Sequence, residues 1–144
     1  MMNIVKVYNT LKSSLSDAGL FITESQKQVQ AGQQYILRVN NVAEDIDNSQ
    51  YSSSNNKITF DVSVTGYDMT LNDSIMDQCI NIITGDEFEK DLGFIIGSIC
   101  STGSALSIDT KSNDNLSSIL NTFEITYIER RGNNDIRFEL PRII

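Results

Sequence analysis

"KITFDVSVTGYD", residues 57–68, decides how this chain folds. Ile58, Phe60, Val62 and Val64 share one parity, and Lys57, Thr59, Asp61, Ser63 and Thr65 share the other. Successive side chains of a strand point to opposite sides of its sheet, so this alternation describes a strand with one dry and one wet face. Gly66 ends the run. The next stretch, "MTLNDSIMDQCINIITG", is helical in period: Leu71, Ile75, Met76, Cys79, Ile82 and Ile83 fall on one face. The spacing predicts a helix over 70–84, with Thr70 and Asp73 as a capping box and Gly85 as its stop.

Working outward, residues 3–18 read as a first helix. Ile4, Tyr8, Leu11 and Leu15 form its apolar stripe, Asn3 caps it and Gly19 stops it. "LFIT", 20–23, is a short strand or the entry to one. "QQYILRVNNV", 33–42, is a strand, and "AEDIDNSQYSSSNN", 43–56, is expected to be a long exposed connection. "DEFEKDLG" reads as a charged connector. "FIIGSICSTGSALSID", 94–109, reads as a strand, a turn near Thr102-Gly103 and a further strand. "LSSILNTFEITYIER", 116–130, ends in a long strand with Phe123, Ile125 and Tyr127 on one parity and Ile128 as an apolar exception on the other. Strands in runs, with helices apart from them, predict an α+β fold: a mainly antiparallel sheet of four to six strands with two helices on one face. Residues 1–130 form one expected domain, and 131–144 a last strand or arm.

The totals narrow the function classes. The chain has 144 residues, 40% hydrophobic and 21% charged, which suits one globular domain. A net charge of −8 argues against a surface that grips phosphates. With no histidine, the commonest general base and zinc ligand are missing, together with every Ser-His or Cys-His nucleophile pair. Cys79 and Cys100, both in apolar runs, read as reduced core thiols. The start is too polar for a signal peptide and no apolar run nears the length of a membrane span, so a cytoplasmic, non-membrane protein is expected.

No constellation carries a chemistry. "GSICSTGS", 97–104, has the wrong glycine spacing for a phosphate loop and no following lysine. "DIDNSQYSSSNN" places Asp45, Asp47 and Ser49 at the first alternating positions of a calcium loop, yet lacks the glycine at its sixth position and the glutamate at its twelfth. Asp86, Glu87, Glu89 and Asp91 have no partner group in the sequence and read as solvated. The C-terminus is different: Arg130, Arg131, Arg137 and Arg142 gather positive charge beside the apolar Ile136, Phe138, Leu140, Ile143 and Ile144. So much apolar surface either folds back on the sheet or docks on a partner.

In its order of elements the chain resembles the tail-terminator family of long-tailed bacteriophages and related phage-tail-like particles. A short helix like "VKVYNTLKSSL" comes first, then a strand pair with a long loop. A strand of the "ITFDVSVTGYD" type then runs into a helix like "NDSIMDQCINIIT", and a late strand like "TFEITYIER" follows. The resemblance covers most of residues 3–130. It implies a structural virion protein without catalytic residues, cofactor or metal. Such a protein would form a ring, usually hexameric, on the finished tail tube, stop its growth and meet the head connector. Its partners would be itself, the tube protein and the connector, with DNA passing unbound through an acidic-leaning channel that the −8 charge would suit; it would assemble in the host cytoplasm and reside in the virion tail. On this basis Thr59, Asp61, Ser63 and Thr65 become a candidate channel wall or subunit contact. Arg130 and the arm that follows become a docking element, and Asp45, Asp47 and Tyr51 a candidate mobile loop. Competing readings are a head-completion or neck protein of the same virion, a small monomeric ligand-binding module with loops 43–56 and 110–115 as its edge, and a carboxylate-based hydrolase.

Overall fold

A computed structural model describes residues 2–24, 29–47, 53–109 and 115–130. The elements are α1 (Asn3–Asp17), β1 (Tyr35–Asp47), β2 (Ser53–Gly66), α2 (Met69–Ile83), α3 (Asp86–Leu92), β3 (Ile95–Ile108) and β4 (Ser117–Arg130). The strands form one antiparallel sheet in the order β1-β2-β4-β3, and the three helices cover one face of it, giving an α+β fold. The dry parity of β2 is fully buried at Ile58, Phe60, Val62 and Val64. They share one core with Val7, Leu11 and Leu15 of α1, Ile75, Met76, Cys79 and Ile83 of α2, and Phe88 and Leu92 of α3. Phe60 stacks on Phe123 of β4, their directly opposed partner, at 5.3 Å between ring centroids.

Several expectations need correction. The stretch 43–56 is mostly strand: β1 runs on to Asp47 and β2 begins at Ser53. Its alternation is hidden by a bulge between Asn40 and Ala43, where Asn41 takes φ 57°. One extra residue flips the parity, so Tyr35, Leu37 and Val39 face the helices before it and Val42, Glu44 and Ile46 after it. "DEFEKDLG" is a helix, because Phe88 and Leu92, four apart, bury one face while its five charges stay outside. Residues 95–108 form one continuous strand; the Thr102-Gly103 pair is a second kind of irregularity, a bulge, as is Gly97. "LFIT" makes only an isolated parallel bridge, Ile22 to Leu37. Cys79 is buried as expected, but Cys100 is exposed, because it lies on the outer strand.

The caps also differ. The cap of α2 is Asp68, whose carboxylate accepts from Thr70 N–H and Leu71 N–H at 3.1 and 3.2 Å, two residues earlier than a Thr70 capping box. Gly85 precedes α3 rather than stopping α2 with a left-handed turn. Asn3 does not cap α1. Gly19 does stop it: at φ 83° it gives its N–H to Ser16 C=O, and Leu20 gives its own to Leu15 C=O. The α1 stripe turns on Val7 in place of Tyr8.

The core is closed at both ends by polar groups. At one end Asn72 is fully buried and donates to Gly66 C=O at 3.1 Å and to Ser117 Oγ at 2.9 Å, tying α2 to the ends of β2 and β4. At the other, Tyr127 donates to the Glu44 carboxylate and accepts from Asn3 Nδ2 at 2.7 Å and Asn56 Nδ2 at 3.2 Å. Burial first, and the Glu44 contact second, push the Tyr127 phenol up to about 12. Burial likewise pushes the Cys79 thiol up to about 12.

Two predictions follow from these ends. A side chain at Gly66 would meet Gln34 C=O at 2.5 Å and Asn72 Oδ1 at 2.8 Å. Gly66→Ala is therefore expected to cost about 1–3 kcal/mol in urea unfolding, by forcing backbone apart. Tyr127 keeps its proton when folded between 10 and about 12, where the unfolded phenol loses it. Its stabilising effect is thus complete below 10 and is lost as pH climbs toward 12. Tyr127→Phe should lower stability by about 1–3 kcal/mol at neutral pH and make the alkaline decline shallower, as read from unfolding midpoints across that range.

Candidate functional site

Thr59, Asp61, Ser63 and Thr65 lie together on the face of β2 that turns away from the helices. The register sets them against Glu124, Thr122, Leu120 and Ser118 of β4 on one side, and against Ala43, Asn40, Arg38 and Ile36 of β1 on the other. They are half-buried because β2 is an inner strand with neighbours on both sides. Hydroxyls link the strands across this face. Thr65 Oγ1 donates to Ser118 Oγ at 2.9 Å, and Ser98 and Thr126 share a hydrogen bond at 2.8 Å.

Asp61 is the best-held group here. One carboxylate oxygen accepts from Thr122 Oγ1 at 2.8 Å and the other from Asn41 Nδ2 at 2.9 Å. The left-handed residue of the β1 bulge therefore supplies one of its two ligands. Neither contact was legible in the sequence, because each needs the register of a neighbouring strand. Asn-Asn at 40–41 was the available signal, since asparagine tolerates positive φ better than most residues.

The charge on this face is mixed. Asp45, Asp47, Asp61 and Glu124 stand against Arg38, Lys57 and Arg130. The acidity of the described chain is concentrated instead on the helical layer, where Asp68, Asp73, Asp77, Asp86, Glu87, Glu89 and Asp91 are all exposed beside Lys90. The hydroxyl-rich sheet face thus offers a polyanion neither a cationic cluster nor strong repulsion.

Asp45 and Asp47 do not form a loop. They sit in β1, opposite Lys57 and Asn55, beside an open hollow of about 540 Å³ that also touches Asn56, Tyr127 and Ile128. Tyr51 lies outside the described residues, as do Arg131, Ile136, Phe138, Leu140, Arg142, Ile143 and Ile144. Arg130 is described; it ends β4, exposed, across from Ser53. Among the described residues no three His, Cys, Asp or Glu side chains gather as metal ligands would, and no helix is long and apolar enough to cross a membrane.

Sequence reasoning missed the outer strand. β3 is exposed along its whole second half, with Leu106 and Ile108 showing on the helix side of the sheet. The helices stop short of it and leave a hollow of about 400 Å³ lined by Met69, Thr70, Asp73, Leu106 and Ile119. The same stretch read as two strands and a turn concealed this, since a hairpin would have paired its own edges.

No family model matches the chain, and no curated protein matches it in sequence. Among solved structures it is similar to a chain from the virion of a native gene transfer agent (GTA) particle, with a TM-score of 0.59 over 85% of this chain and 92% of that one. The two share 8% of their residues, so the likeness is one of fold: nearly the whole of that virion chain has a counterpart in the arrangement of helices and sheet described above.

Proposed function

We propose that this chain is a structural virion protein of a phage or phage-like particle, and more finely that it forms the ring that ends a tail tube. The observation that carries the coarser statement is the fold shared over 92% of a gene transfer agent virion chain. The finer statement is supported by the order of elements that resembles the tail-terminator family, and by the wet sheet face. A channel for DNA needs a wall that does not hold phosphates, and small hydroxyl and amide groups with balanced charge meet that need. In this reading Thr59, Asp61, Ser63 and Thr65 line the passage or a subunit contact. Arg130 and the segment after it dock on the tube or connector. The ring is built from one kind of subunit, usually six, through heterologous contacts. It needs no cofactor and performs no catalysis. A neck protein of the same virion would have a similar size and also form a ring, and differs in what its loss does to tails.

Electron microscopy of the purified chain should show rings. Deleting its gene and imaging the particles should give overlong tails, whereas tails of normal length would sink the terminator role and leave the neck protein. Asp61→Lys removes the acceptor that holds Asn41 and Thr122 and places a cation on the proposed wall. It is expected to reduce productive particles at least roughly tenfold, while Asp61→Asn does less. Unchanged assembly and DNA ejection in Asp61→Lys would argue against the wall assignment.

A further inference from the structure

A sheet in the order β1-β2-β4-β3 has two outer flanks. Natural proteins guard such flanks with charge, proline or bulges, because an open strand edge recruits other strands. β3 contains no charged residue and no proline in its 14 residues. Its two bulges, at Gly97 and Thr102, both lie before Gly103. From Gly103 to Ile108 it pairs with β4 without interruption, and every residue of that run is exposed. Among the described residues nothing pairs with this half on its outer side, which is a regular, uncharged edge.

The opposite flank carries a matching feature at the same level. Leu37, Val64, Ile119 and Leu106 are successive partners across the four strands. Outside Leu37 lies the short segment 20–24, held by the Ile22 bridge and by Thr23 N–H to Leu37 C=O at 2.7 Å. Leu20 and Ile22 pack on the core, so Phe21 between them points away and is 69% exposed. Within Gly103–Ile108, the residues on the face away from the helices are Gly103, Ala105 and Ser107, all small. A side chain at Gly103 would meet nothing within 4 Å.

We propose that the Gly103–Ile108 edge of one subunit pairs with the 20–24 segment of a second copy of this chain, seating its Phe21 over Ala105 and Ser107. The occupant follows from direction, level and bulk. Segment 20–24 runs parallel to β1, and β3 runs opposite to β1, so the new pair is antiparallel. At the level that Leu37 and Leu106 share, Ile22 stands opposite Leu106 and Phe21 opposite Ser107. A large aromatic on one flank faces a row of small residues on the other. Repeating the contact head to tail uses both flanks of every copy and leaves no open edge once the ring closes. The inference rests on the ring reading and names its seam.

The test uses the full chain and two variants at exposed positions, Phe21→Lys and Ala105→Lys, each checked for an unchanged unfolding midpoint. Native mass spectrometry and light scattering read the assembly. The wild type is expected to form rings. Each variant alone should need at least roughly tenfold more protein for half-assembly. A mixture of the two should give a one-to-one dimer that grows no further, since one intact seam remains between them. Rings that persist in both variants would overturn the seam while leaving the ring reading in place. Self-dimers of Phe21→Lys would overturn the head-to-tail arrangement in favour of a two-fold contact through β3. A wild type that stays monomeric to its solubility limit would overturn the ring and the seam together.

Discussion

Everything in this molecule depends on burying one face of β2. Ile58, Phe60, Val62 and Val64 have no exposure to water, and side chains from all three helices share their core. Each such side chain gains roughly 1.5–3 kcal/mol by leaving water. Because β2 is an inner strand, that burial also sets the register of its neighbours: a slip by one residue would expose all four side chains at once. The stacked pair Phe60–Phe123 extends the constraint to β4, the other inner strand.

The same constraint explains the irregular places. β1 starts in phase with β2 and then takes one extra residue at the bulge, which turns Glu44 toward the helices, where Tyr127 donates to it. The bulge also aims Asn41 at Asp61 on the far face. A single inserted residue thus serves both faces of the sheet. At the other end Gly66 is needed because Asn72 and the Gln34 carbonyl fill the space where a side chain would be. Asn72 in turn ties the start of α2 to β4.

What the helices leave uncovered is as informative as what they bury. Their acidic residues face outward, their apolar stripes enter one core with β1, β2 and β4, and among the described residues β3 stays bare along its second half. A sheet with a smooth hydroxyl face, an acidic helical layer and one unguarded edge is suited to repetition around an axis. That is the physical argument behind the ring proposed above; the likeness to a virion chain is one of fold.

By itself the sequence determined the parts whose signal is local. The alternation in 57–65 and the helical spacing in 71–83 each repeat several times, and each repeat reports on one buried face, so the strand, the helix and the α+β class were legible. So was Gly19, whose place after the Leu11 and Leu15 stripe marks a helix end. What only the tertiary structure decided is whatever depends on a partner strand or a parity change. The bulge hid the second half of β1, because alternation that flips midway looks like no alternation. The seven-residue α3 was too short and too charged to show its two buried side chains, Phe88 and Leu92. The exposed second half of β3 read as an ordinary apolar run, since composition cannot tell an inner strand from an outer one. For the site, the sequence placed Thr59, Asp61, Ser63 and Thr65 on one wet face. The hydrogen bonds that hold Asp61, and the common level of Leu37 and Leu106 on opposite flanks, exist only once strands far apart in the chain lie side by side.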